Sequence, residues 1–240
     1  MFMNKILLSL VAILFIQASG LAQRTIKDAN AQVREAKNFH GISVGSAFDV
    51  YMVQGNEEAV AVSSSDQKLM ENIRVEVKDG ILRIWVHQPK PWRGFGNKKL
   101  KAYITFKNID LLDINGACDV KVEGTLKADN LKVDLSGASD LTASFQVNKL
   151  NVHLSGASDM KASGSASQLT IDASGASKFK GFDLASEFCN AEASGASDIR
   201  ITVNKELNVR ASGASDIDYK GSGVIRDLKT SGASSVSRQS

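Results

Sequence analysis

Apolar and polar residues alternate through most of the second half of the chain. The segment 131–135 reads Leu, Lys, Val, Asp, Leu, and similar segments recur down to residue 230. A period of two residues puts alternate side chains on opposite faces of a β-strand. Each of these segments is therefore predicted to be a strand with one buried face.

A short phrase of small residues, most often Ser-Gly-Ala-Ser-Asp, interrupts this alternation at regular intervals. Its glycines lie 18 to 21 residues apart, at Gly116, Gly137, Gly156, Gly175, Gly195, Gly213 and Gly232. The residues four places before and four places after each glycine are all apolar. Such a fixed phase is typical of a repeat architecture, in which like residues stack on like.

Units of this length could be hairpins of an antiparallel sandwich or the coils of a β-helix stacked about 4.8 Å apart. Successive hairpins vary in length, whereas the phase here is constant, so the coil is favoured. The sequence predicts an all-β, right-handed parallel β-helix with coils of about 19 residues. The Ser-Gly-Ala phrase is then a corner used once per coil.

The region before the repeats is less regular but is also predicted to be β. Residues 42–50 resemble a degenerate first copy of the corner, and residues 73–86 form a hairpin around an Asp79-Gly80 turn. Residues 66–72 are predicted to form one helical turn, residues 87–101 a loop, and residues 101–106 a strand.

The first residues have the pattern of a secretory signal peptide. Lys5 precedes an apolar run over residues 6–16, and small residues precede Gln23. We predict a signal peptide over residues 1–22 and a linker over residues 23–38, with no transmembrane segment after cleavage. The formal net charge of +3 argues against a dedicated nucleic-acid binder.

Five segments occur in a fixed order along the chain: residues 45–50, Gln54-Gly55, the hairpin at 78–84, the repeat start at 114–117 and the closing residues 219–223. Together they resemble the bacterial exported family called putative auto-transporter adhesin, head GIN domain. The resemblance implies one domain over residues 39–240, with an irregular part at 39–110 and regular repeats at 111–240. It implies an exported β-helical protein and supplies no catalytic residues.

An acidic column is the first candidate site. Three places after the repeat glycines stand Asp119, Asp140, Asp159, Asp198 and Asp216, with Lys178 interrupting the series. Stacked carboxylates could hold calcium, but the glycine-rich nonapeptide of calcium-binding β-rolls is missing. The favoured interpretation is structural, with each Asp capping its corner and nearby cations relieving the repulsion. No metal site is predicted.

The loop at 87–101 is the second candidate. It contains both prolines, one of the two tryptophans and five cations. Aromatic rings beside cations suit an anionic glycan or phosphate surface, whereas the alternative is a solvated connection with its Trp covering the end of the β-helix. The residues proposed to contact a ligand are Trp92, Arg93, Phe95, Lys98 and Lys99.

The two cysteines are predicted to be unpaired, because Cys118 and Cys189 lie several coils apart and bridged Cα atoms lie within about 7 Å. No nucleophile elbow, paired-histidine zinc motif or phosphate loop is present, so no enzyme activity or cofactor is expected. The expected function is a non-catalytic binding or adhesion module of the bacterial cell envelope, in the periplasm or on the cell surface. Its partner would be a glycan or an envelope protein. The alternatives are a carbohydrate-active β-helix enzyme and a purely structural periplasmic component.

Overall fold

The computed structural model describes residues 28–87 and 99–240, which form sixteen strands and one short helix. The elements before the repeats are β1 Gln32–Arg34, β2 Gly41–Val44, β3 Phe48–Gln54, β4 Ala59–Ser64, α1 Gln67–Asn72, β5 Ile73–Lys78, β6 Ile81–Val86 and β7 Leu100–Phe106. Those of the repeats are β8 Leu111–Ile114, β9 Asp119–Leu135, β10 Asp140–Leu154, β11 Asp159–Ala173, β12 Lys178–Ala193, β13 Asp198–Ala211, β14 Asp216–Lys220, β15 Val224–Thr230 and β16 Ser235–Arg238.

The repeats form a parallel β-solenoid, which confirms the predicted fold class. Strands β9 to β13 each run most of the way around one coil, and each pairs in parallel with the next. The register joins equivalent positions of successive repeats, so that Leu131, Leu150 and Leu169 lie in one column. Small register shifts occur where the chain bends away from the corner, as between Lys161 and Ser163.

Two further coils precede the regular ones in space, but not in the order of the sequence. Strands β2 and β3 form the coil next to β8 and β9, and Ser46 occupies the place of the repeat glycine between them. Strands β6 and β7 form the coil beyond that, since they pair in parallel with β2 and β3. The sequence indicated the corner near residue 46. It did not indicate that the coil of β2 and β3 lies between the coil of β6 and β7 and that of β8 and β9.

Antiparallel strands close this end of the solenoid. Strand β5 pairs with β6, β4 pairs with β7, and β1 adds to β4. The hairpin of β5 and β6 turns at Asp79 and Gly80, which both have positive φ as a two-residue turn requires. Asp66 caps α1 by accepting hydrogen bonds from the backbone N–H groups of Lys68 and Leu69 at 2.8 and 3.1 Å. Hairpin and helical turn are both as predicted, and β1 lies in the segment that the sequence suggested was a linker.

The core is a set of apolar columns that runs inside the coils. Its largest fully buried members include Phe48, Phe145 and Phe179. Cys189 takes the place of a leucine in one column, between Leu169 and Leu207, and is free and buried. In the part of the chain that the structure describes, no helix is long and apolar enough to cross a membrane.

Candidate binding surfaces

The corner phrase is a stack of backbone contacts. The N–H of Ala138 donates to the carbonyl of Gly116 at 2.7 Å, and the same bond recurs from each coil to the next. The corner glycines have positive φ, and a Cβ on Gly137 would lie 2.3 Å from the carbonyl oxygen of Gly116. Glycine is required at Gly137, because a Cβ there would collide with the backbone of the coil beneath.

The second serine of the phrase holds the corner together from inside. Ser158 is fully buried, and its hydroxyl donates to the carbonyl of Ser155 at 2.8 Å. The same bond, at 2.9 to 3.0 Å, is made by Ser139, Ser177, Ser197, Ser215 and Ser234. Burying a hydroxyl is favourable only when it is hydrogen-bonded, and the local carbonyl meets that need without a ligand. These serines are therefore structural.

Cys118 is the member of this serine column in the first regular corner. Its Sγ lies 3.5 Å from the carbonyl oxygen of Asn115, which is the contact that the serine hydroxyl makes in later coils. Burial raises the pKa of this thiol to about 11 and that of Cys189 to about 12. Neither cysteine is therefore a nucleophile at neutral pH.

The predicted acidic column exists and is longer than the sequence indicated. Asp119, Asp140 and Asp159 are in register on adjacent strands, and Lys178, Asp198 and Asp216 continue the column. Asp49 of β3 pairs with Asp119 and Lys101 of β7 pairs with Asp49, so the column begins two coils earlier. We name the surface that carries this column the acidic face.

A column of mostly basic residues lies beside it on the same face. Lys121, Thr142, Lys161, Lys180 and Arg200 are in register two places after the acids. The Nζ of Lys180 lies 2.6 Å from Oδ2 of Asp159, which partly balances the acidic charge. Burial together with the Asp159 and Asp119 carboxylates raises the pKa of Asp140, and Lys180 opposes that rise. Among the described residues, no group of three or more His, Cys, Asp or Glu side chains could hold a metal ion.

The side of each coil that precedes the corner carries a different surface, which we name the amide face. It consists of the outward-facing residues of the strand segments that precede the corners. One of its columns runs Lys132, Asn151, Thr170, Asn190, Asn208 and Asp227. The Nδ2 of Asn208 donates to Oδ1 of Asn190 at 2.8 Å, so the amides are linked along the column.

An aromatic ring is exposed on the amide face. Phe188 lies in the column beside the amides, between Gln168 and Glu206, and 40% of its surface is accessible. The Nζ of Lys205 lies 5.4 Å from the ring centroid, at the distance of a cation–π contact. An open groove of about 400 Å³ surrounds the ring and is lined by Gln168, Thr170, Asn190, Glu206 and Asn208 among others.

The charges of the amide face are largely paired with each other. Arg210 contacts Glu192 at 2.5 Å, and Lys205 contacts Glu187 at 3.0 Å. A second groove of about 340 Å³ lies beside the first and is lined by several of these ions. The amide face thus offers both hydrogen-bond donors and hydrogen-bond acceptors, without a large excess of positive or negative charge.

Sequence reasoning missed Phe188 as a candidate. The alternation of apolar and polar residues breaks there, because an aromatic occupies a column whose neighbours are Lys149, Gln168 and Glu206. This break in the alternation was the feature of the sequence that could have identified Phe188 as a candidate. Of the predicted loop contacts, Trp92, Arg93, Phe95 and Lys98 lie outside the described residues. Lys99 is exposed, and its backbone N–H donates to Oγ of Ser65 at 3.2 Å.

Comparison with solved structures finds the same fold. A putative adhesin from Bacteroides fragilis NCTC 9343 is 25% identical with a TM-score of 0.78, and the match covers 87% of this chain and 96% of that one. A putative adhesin from Parabacteroides merdae ATCC 43184 is 17% identical with a TM-score of 0.71, over 88% and 95% of the two chains. A putative lipid binding protein from Parabacteroides distasonis ATCC 8503 is 19% identical with a TM-score of 0.63, over 88% and 97%.

None of the curated proteins compared with the chain matches it. The family model described as putative auto-transporter adhesin, head GIN domain, matches residues 38–223, which is most of the chain. The matched region includes the N-terminal coils and the repeats with their corners from Gly116 to Gly213. The chain therefore belongs to the family of putative auto-transporter adhesins with a head GIN domain.

Proposed function

We propose that this protein is a non-catalytic adhesion module of the cell envelope and that its amide face binds carbohydrate. The observation that carries the proposal is the exposed ring of Phe188 beside the linked amides of Asn190 and Asn208. A sugar ring has an apolar face that packs on an aromatic side chain and hydroxyl groups that pair with amides. The amide face supplies both within one groove.

The regular spacing of the face favours a polymer over a single sugar. Equivalent residues of successive coils lie about 4.8 Å apart, which is similar to the length of one sugar unit in an extended glycan. The columns through Gln168, Thr170 and Asp172 continue on the strands above and below. A linear glycan lying along the solenoid would therefore meet similar groups at every step.

The paired charges favour a glycan of low net charge. Glu192 and Arg210 neutralise each other at 2.5 Å, as do Glu187 and Lys205 at 3.0 Å. A polyanion would have to compete with the carboxylates for these cations, whereas a neutral glycan would use the amides and hydroxyls. A surface with paired charges of both signs and with amide groups also suits a protein partner, which is the alternative ligand.

The loop between β6 and β7 is proposed as a second contact, for an anionic group. It joins strands whose ends lie on either side of the corner ridge, where other coils have the compact Ser-Gly-Ala-Ser turn. The residues of this loop that we propose to contact the ligand are Trp92, Arg93, Phe95, Lys98 and Lys99. Ligand contacts at these residues would extend the binding surface beyond the repeats.

Glycan-array binding followed by calorimetry tests the proposal. We expect Phe188→Ala to weaken binding at least tenfold, or about 1.4 kcal/mol, and Asn190→Ala with Asn208→Ala to act similarly. The matched control is Phe182→Ala, because Phe182 also has a lysine over its ring, Lys220 at 4.9 Å, but lies on the acidic face. Equal losses from Phe182→Ala and Phe188→Ala, or no glycan bound at all, would contradict the assignment.

Further measurements test for catalysis, for lipid binding and for the proposed contact at the loop. Reducing sugar released from a bound polysaccharide would overturn the non-catalytic assignment. One similar structure is described as a lipid-binding protein, so neutral phosphatidylcholine vesicles serve as a second probe, and we expect no co-sedimentation with them. The double change Trp92→Ala with Arg93→Ala is expected to reduce binding of acidic glycans and leave neutral ones unaffected.

A further inference from the structure

The two ends of the solenoid differ in how the core is covered. At the first end, the antiparallel strands β1, β4 and β5 lie over the outermost coil. At the other end, β15 pairs with β13 and β16 pairs with β14, and among the described residues neither has a second strand beside it. One edge of each strand therefore has backbone groups without a strand partner, as in any edge strand.

Apolar core columns are exposed at this end. Leu228 continues the column of Val209, but 51% of Leu228 is accessible against 1% of Val209. Ile225 and Val236 continue the core columns of Leu207 and Ile217 and are half-buried. Val224 lies beside Glu206, outside the core columns, and is 58% accessible. Exposed apolar residues gathered at an unpaired strand edge are typical of an interaction site.

The sequence of β15 is complementary to itself about a two-fold axis. Its central residues are Ile225, Arg226, Asp227 and Leu228. Ile225 and Leu228 continue core columns. The register shift between them inserts one extra residue, so that the two charged residues Arg226 and Asp227 both lie between these apolar positions. In an antiparallel pair of two such strands centred between Arg226 and Asp227, each Ile225 lies opposite Leu228 of the other copy. Each Arg226 then lies opposite Asp227 of the other copy.

We propose that this end binds a second copy of the chain, with β15 paired antiparallel to β15 across a two-fold axis. Such an isologous contact uses the same patch on both molecules. It covers Leu228 and pairs opposite charges, whereas a parallel in-register pair would place like charges opposite each other. The charges are available for this contact, because Arg226 and Asp227 are 61% and 47% exposed although they contact Glu206 and Lys229 within the chain.

A charge-exchange experiment tests the two-fold pairing. Wild-type protein is expected to sediment as a dimer that dissociates on dilution through the micromolar range. Arg226→Asp places aspartates opposite each other and Asp227→Arg places arginines opposite each other, so each variant alone is expected to lose at least tenfold in dimer affinity. An equimolar mixture of the two variants restores both opposite-charge pairs and is expected to dimerise.

Lys205→Glu is the matched control, because it reverses a charge that lies one coil away and contacts Glu187. It is expected to leave the dimer unchanged. Thermal melting of each variant checks that it remains folded. Leu228→Asp leaves Arg226 and Asp227 unchanged but removes the apolar contact, and it is expected to give a folded monomer. A wild-type monomer throughout the micromolar range overturns the proposal, as does a mixture of the two charge variants that stays monomeric.

Discussion

The carbonyl oxygen of Gly137 lies directly beneath Gly156, and a Cβ on Gly156 would be 2.5 Å from it. The same close approach recurs along the stack, with 2.3 Å for Gly137 above Gly116 and 2.7 Å for Gly195 above Gly175. The coils can stack at strand spacing only because these positions carry no side chain. The glycine of the corner phrase is thus required by the close packing of each coil on the one beneath it.

Gly156→Ala is therefore expected to destabilise the protein strongly. Its φ of 74° costs an alanine about 1 to 2 kcal/mol, and the contact with the Gly137 carbonyl adds to that cost. Gly124→Ala is the matched control, because Gly124 has the same φ of 74° but a Cβ added there would meet no atom within 4 Å. Denaturant unfolding should show a clearly larger loss for Gly156→Ala. Equal losses would mean that the stacking contact is unimportant.

Ser158→Ala should be more costly than an ordinary serine replacement. It removes a buried hydroxyl that donates to the Ser155 carbonyl at 2.8 Å, and a loss of about 1 to 2 kcal/mol is expected. Ser165→Ala serves as the control, since Ser165 is an exposed serine in β11, the strand that follows this corner. The free energy of unfolding in urea measures both. A neutral Ser158→Ala would show that the corner does not depend on this hydrogen bond.

The buried thiols make stability depend on alkaline pH. Burial raises the pKa of Cys118 from 9.0 to about 11 and that of Cys189 to about 12, so the unfolded chain loses these protons first. The thiols' contribution to stability is complete below pH 9 and is lost as the pH rises through the folded-state values. Between about pH 8 and about pH 10.5, it should fall by roughly 2 kcal/mol or more.

The variant Cys118→Ser with Cys189→Leu isolates this effect. It restores the serine column and the leucine column, so it should fold, and its stability should decline less with pH than that of the wild type. Unfolding curves at the two pH values measure the difference. Identical declines would show that other groups control the alkaline behaviour.

Asp140→Asn tests the repulsion in the acidic column. Burial and the carboxylates of Asp159 and Asp119 raise the pKa of Asp140, so its ionised form is disfavoured in the folded state. The amide should stabilise the protein at neutral pH by about 0.2 to 1 kcal/mol, as for other cross-strand pairs. The gain should vanish as the pH falls through the folded-state pKa, because Asp140 is then protonated in the wild type.

Asp198→Asn is the control for this prediction, since Lys178 lies beside Asp198 on one neighbouring strand. It should give little or no gain at neutral pH. Melting temperatures from mildly acidic to neutral pH measure both variants. A gain for Asp140→Asn that persists unchanged in acid would contradict the repulsion argument.

The sequence alone determined the solenoid, its period, the corners and the acidic column. These follow from local rules, since alternation defines strands and a constant phase places Asp119, Asp140 and Asp159 in one column. The Asp79-Gly80 hairpin and the helical turn after Asp66 were predictable for the same reason. The sequence also indicated the family, because the order of these features agrees with it.

Only the tertiary structure decided which coils are neighbours and which residues share a surface. Strand β7 lies against β3 although more than forty residues separate them, a pairing that no local pattern predicts. The same pairing adds Asp49 and Lys101 to the acidic column. Stacking also decided that the second serine of the phrase is buried, that Phe188 is exposed among amides, and that Leu228 is left uncovered. The physical reason is that burial depends on what lies on the next coil, which the sequence of one coil does not contain.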